Sequence, residues 1–169
     1  MRGNGRVTAV VAAALIWTSV AASAPGSTGR ISPGFVAKTD RLCAAIDASF
    51  ARVLGSKFPY PKFNAEKPDR PTLMLVGQYF ARALPIRGRI PGQLLALGEP
   101  ASGRAAWAAI RSLAFEQNAV ALDQISAALA GNAKAFVATV HRYEQLHGLI
   151  GGKGVAAGFP KTTACGDVF

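Results

Sequence analysis

Apolar side chains recur at three- and four-residue intervals from Phe35 onward. Phe35, Leu42, Cys43, Ile46, Phe50, Val53 and Leu54 form the first stripe. That interval is the helical one, and it predicts a helix over 33–54. Ser32 stands where it would cap the free amides. Pro33 fits the first helical position, where a missing N–H costs nothing. Gly55 ends the run, and Asp40 and Asp47 fall off the stripe. A second stripe of Leu73, Val76, Gly77, Phe80 and Leu84 predicts a short helix that starts at Pro71 or Thr72 and is stopped by Pro85. Trp107, Ile110, Leu113, Ala114, Ala121, Ile125 and Leu129 predict the longest helix, over 103–129, with Ser102 as its cap. Phe136, Val140, Tyr143, His147 and Ile150 predict a fourth, from Asn132 or Ala133 to about Leu149.

The segments between the stripes punctuate them. Pro59, Pro61, Pro68 and Pro71 exclude a helix from the first connection. Its rings, Phe58, Tyr60 and Phe63, are expected to cover one end of the helices, with a ligand- or peptide-binding lip as the alternative. The connection from Pro85 to Gly103 has room for one helical turn at 91–97, with Leu94, Leu95 and Leu97 docked on the core. Gly131-Asn132 is a stop followed by a start, and so short a link makes the last two helices an antiparallel hairpin. The glycines of GLIGGKG read as a helix stop, followed by a Gly-rich tail, partly turn, that folds back. Only 72–77 resembles a strand, and its neighbours favour helix. The pattern therefore predicts an all-α fold, a small up-and-down bundle of about four helices.

The first residues change the picture of where this domain works. Arg2 and Arg6 precede an apolar run from Val7 to Trp17, followed by Ser19-Val20-Ala21 and Ala22-Ser23-Ala24. This is the form of a secretory signal, assigned to 1–24 with cleavage after Ala21 or Ala24. A Pro/Gly/Ser-rich linker at 25–31, expected to be disordered, and one helical domain at 32–169 follow. A retained anchor is the alternative, but the run falls short of the roughly 20 apolar residues of a span, and no later segment supplies one. The expected location is secreted or extracytoplasmic, and oxidising. The chain carries 19 Lys and Arg against 9 Asp and Glu, a net charge of +10. Such a charge favours an anionic envelope polymer or a protein partner. The basic residues form no compact run and interleave little with aromatics, so nucleic acid is not indicated.

Candidate chemistry is sparse. The two cysteines, Cys43 and Cys165, have neither metal-site nor redox-motif spacing. In an exported chain they are expected to form one disulfide, with intermolecular pairing or free thiols as the alternatives. Glu144 and His147 make one Glu-x-x-His element, which Glu116 on the preceding helix could supplement, with Asp123 a poorer choice. Di-metal bundles use that element twice, so the stronger reading places His147 at the end of the fourth stripe and pairs His141 with Glu144 on the surface. No nucleophile elbow, phosphate loop or haem attachment motif is present. The expectation is a non-enzymatic binding or structural module without a cofactor. The alternative is a small-ligand or metal carrier using an inter-helix cavity or the Glu144/His147 face.

With FVAKTDRLCAAI (Phe35 to Ile46) and GVAAGFPKTTACGDVF (Gly154 to Phe169), the chain resembles small exported actinobacterial-type proteins of unknown function. In these an early helix carries one cysteine and an Ala/Gly tail ends in Cys-Gly. The resemblance implies export, a helical bundle and a disulfide from tail to first helix. It implies no activity.

Overall fold

A computed structural model describes residues 29–55 and 57–160. The signal assigned to 1–24, most of the linker, and Cys165 lie outside the described residues. Within them the fold is all-α: α1 (Pro33–Leu54), α2 (Arg70–Ala81), α3 (Leu84–Arg87), α4 (Ile90–Ala96), α5 (Arg104–Leu129) and α6 (Ala133–Ala157). There is no strand among the described residues. No helix is long and apolar enough to cross a membrane among them.

The contacts order these helices as four legs. Phe35 at the start of α1 meets Trp107 at the start of α5, edge to face at 4.9 Å. At the other end of α1, Phe50 and Leu54 line one cavity with Ala121, Ile125 and Ala128 of α5. These two helices therefore run the same way. The chain from α2 through α4 returns along α5 in the opposite direction: Leu73 packs with Ala128, Asn118 reaches Arg87, and Ile90 and Leu94 share a cluster with Trp107 and Ile110. The fourth leg, α6, is antiparallel to α5. The bundle is thus up-and-down, with its second leg broken into three helices rather than one helix and one turn. Pro85 and Pro91 impose the breaks, each within the first two positions of a new short helix, where the missing N–H is tolerated.

Two apolar clusters hold the legs. The larger joins Phe35, Cys43 and Ile46 of α1 to Trp107, Ile110 and Ala114 of α5 and to Ile150 and Ala157 of α6. Trp107 is 1% exposed, and its indole N–H donates to the Gly98 carbonyl at 3.1 Å. The smaller cluster packs Leu73 with Ala128, Phe136 and Val140 under Phe63 and Ala65.

Local chemistry sets the ends. Asp69 caps α2 by accepting from the Thr72 amide at 3.0 Å. That bond, with a second from the Thr72 side chain, holds its carboxyl below the ordinary 3.8. Gly131 and Gly158 each end a helix with positive φ, +65° and +103°, a region in which a Cβ is penalised. The amide after each glycine reaches back to the carbonyl five residues earlier, Asn132 to Ala127 and Phe159 to Gly154, both at 2.9 Å. This is the Schellman arrangement. Asn132 then caps α6 by accepting from the Ala135 amide at 3.1 Å.

Several expectations are corrected. The helix stop expected at GLIGGKG is absent, and α6 continues through Gly148, Gly151, Gly152 and Gly154 to Ala157. Burial of Ile150, Ala157 and Phe159 in the larger cluster outweighs the cost of those glycines. Ser32 makes no side-chain capping bond. Ser102 donates instead to the Arg30 carbonyl at 2.9 Å, and Gly103 takes the cap position of α5. Leu95 points to solvent, while Leu94 and Leu97 are buried. Ile31, placed in the linker from the sequence, is buried and donates its amide to the Ala157 carbonyl at 2.9 Å.

The expected disulfide needs two sulfurs about 2.05 Å apart. No Sγ–Sγ pair is found among the described residues, and the expected partner, Cys165, lies outside them. Cys43 is fully buried and is not a free thiol.

Candidate functional site

A pocket lies between the legs beside the break in the second leg. The cavity is about 420 Å³, within the range of small-molecule sites. Phe50 and Leu54 come from α1, Phe80 from α2, Ala83 and Arg87 from the bend and α3. Ala121, Gln124, Ile125 and Ala128 come from α5, and Phe136, Val140, Tyr143 and Glu144 from α6. Most of this lining is apolar. The small side chains at 83, 121 and 128 are the reason the space remains open, because a leucine at any of them would fill part of it.

An aromatic group builds one wall. Phe80 stacks on Phe58 of the proline-rich loop at 5.8 Å, with the ring planes 19° apart. Phe58 in turn meets Tyr60 and Tyr79 edge to face, a geometry that adds to simple area burial. The expected role of these rings as a cover holds, and Phe63 extends it by meeting Phe136 of α6 at 5.8 Å. The Tyr79 hydroxyl donates to the Leu54 carbonyl at 2.9 Å, and Arg82 donates to the Val53 carbonyl. Both bonds satisfy carbonyls that the end of α1 would leave open, and they fix the wall to the first leg.

Among the described residues, Arg87 is the one basic residue in the lining. Its position is set by the backbone: its amide donates to the Ala83 carbonyl at 3.0 Å, and its carbonyl accepts from Asn118 Nδ2 at 3.2 Å. Its guanidinium lies 5.1 Å from the Phe50 ring centre and 6.0 Å from that of Tyr143. Ring faces attract a cation but accept none of its N–H bonds in the strong sense. Among the described residues no carboxylate or carbonyl accepts from this guanidinium. Gln117 Nε2 and Asn118 Oδ1 are buried without a hydrogen-bond partner among the described residues.

The residues singled out in the sequence are placed elsewhere or at the edge. Glu144 reaches the pocket rim and is exposed. His147 is exposed rather than in the core stripe, and Leu146 occupies that place at 0% exposure. Glu116 is taken by Arg142 in an ion pair. His141 pairs with Glu66 of the loop at 3.0 Å, not with Glu144. No group of three or more His, Cys, Asp or Glu among the described residues is arranged to hold a metal ion. Sequence reasoning missed Arg87 altogether. The available signal was its place beside two chain breakers, Pro85 and Gly88, which turn a charged residue inward.

No protein-family model, curated protein or solved structure matches this chain.

Proposed function

We propose that this chain is an exported, non-enzymatic binding domain that holds a small, largely apolar molecule in the pocket between its helices. The observation that carries this reading is the 420 Å³ cavity, walled by rings and aliphatic side chains and lined by the small Ala83, Ala121 and Ala128. Exporting such a domain would serve to carry or sequester a ligand outside the cytoplasm. The reading joins the sequence-based expectation of an envelope or extracellular module to the carrier alternative. It takes up the cavity and leaves aside the Glu144/His147 metal face. Contact with an anionic envelope polymer rests on the +10 charge and is compatible with a filled pocket.

Native mass spectrometry of the protein purified from its own source tests this reading. A retained small molecule, released when the protein is unfolded, is the expected result. Protein that carries no such molecule, and acquires none from an organic extract of the same cells, would sink it.

A further inference from the structure

We propose that Arg87 is the head-group anchor of this pocket, and that its ligand is a single-chain amphiphile with an oxyanion head. This rests on the pocket-binding reading above and deepens it. An arginine presents five N–H donors in a planar fork suited to a carboxylate or phosphate. Here the fork lies at the wall of an apolar cavity, against the Phe50 and Tyr143 rings and with no acceptor among the described residues. The ring faces attract the cation but leave its N–H donors open. An oxyanion in the cavity would engage those donors with bonds of the strong, charge-assisted kind.

The rest of the lining fits the remainder of such a molecule. Leu54, Phe80, Ala83, Ala121, Ile125 and Val140 offer an apolar path for an alkyl chain. The opposite head-group choice is less well served. Glu144, the acidic member of the lining, is exposed, so a cationic head would gain little by leaving water for it. The fixed backbone of Arg87, bonded to Ala83 and Asn118, keeps the anchor in place before ligand arrives.

Calorimetric titration of the full chain with decanoate, decanol and decyltrimethylammonium separates the possibilities. The buffer should contain physiological salt, which screens attraction to the basic surface. Decanoate should bind more tightly than decanol by about tenfold or more, the usual worth of hydrogen bonds to a charged group. Arg87→Gln should remove that preference, so that decanoate binds no more tightly than decanol does to the same variant. Arg89→Gln, an equal loss of charge at an exposed neighbour outside the lining, should leave the preference intact. Equal binding of decanoate and decanol by the unaltered protein, tightest binding of the ammonium compound, or a preference that survives Arg87→Gln would overturn the anchor while leaving the pocket standing. Failure of all three probes to bind would remove both readings. The comparison of the three probes on the unaltered chain decides the matter even if Arg87→Gln does not fold.

Discussion

Gly77 of α2 lies directly against the backbone of Leu129 in α5. A Cβ at position 77 would stand 2.6 Å from the Leu129 amide nitrogen and 2.8 Å from the Ala128 carbonyl carbon. These are backbone atoms, which cannot swing aside as a side chain can. Gly77→Ala should therefore force α2 away from α5 and lower stability by about 1–3 kcal/mol, the usual cost of overpacking. Chemical denaturation of the two proteins would measure it. A variant as stable as the parent would show that the helices are not in contact there.

The glycines of α6 should behave in the opposite sense. Gly148, Gly151 and Gly152 lie inside a helix, and a Cβ on any of them meets nothing within 4 Å. Each carries the entropic cost of glycine in a helix, about 0.5–1 kcal/mol relative to alanine. Gly151→Ala and Gly152→Ala should raise the melting temperature, and the double variant should add the two gains. A fall would mean that α6 ends before them, as the sequence alone suggests.

That contrast shows what a sequence can express about this fold. The stripes of α1 and α5 give their ends to within a residue because strong apolar periodicity coincides with Gly and Pro punctuation. In α6 the two signals conflict. Four glycines argue for a stop, while Ile150, Ala157 and Phe159 form buried contacts that become visible only with the third dimension. The choice between Leu146 and His147 has the same origin, since both lie at helical spacing from Tyr143 and Ile150. The pocket is harder still. It depends on alanines from α5 and the bend after α2 meeting across a gap, and on Arg87 turning inward after Pro85. Neither is a local property of the chain.

The cap at Asp69 predicts a pH dependence. The Thr72 amide lowers the carboxyl of Asp69 relative to its ordinary value, so the charged form is favoured by folding. The contribution is present above the unfolded carboxylate range and is lost as pH falls through the lower folded value. Asp69→Ala should lower the melting temperature at neutral pH, and the gap to the parent protein should close as the solution is acidified. Asp69→Asn, a neutral cap of similar quality, should show little such pH dependence. Thermal melts across the acid range would reveal it, and a gap that stays constant to the lowest pH would contradict the cap.

The ion pair between His141 and Glu66 joins α6 to the proline-rich loop, with both groups largely exposed. Pairs of that kind contribute little. His141→Gln should leave the melting temperature nearly unchanged and leave ligand binding intact, because the loop is held through Phe58, Phe63 and Phe136. Phe58→Ala should loosen it instead, with faster amide exchange across 57–69. Equal effects from the two substitutions would place the weight on the charges.

The most direct test of the pocket uses an uncharged probe and a filled cavity. Decanol should bind the full chain at one saturable site, and Ala121→Leu, which extends a lining side chain into the space, should weaken that binding severely while the helical circular dichroism is unchanged. Gln124→Trp, at a half-buried lining position, gives the same test from a site more tolerant of bulk. Binding that is undiminished in both filled variants, or absent from the unaltered protein, would contradict the account.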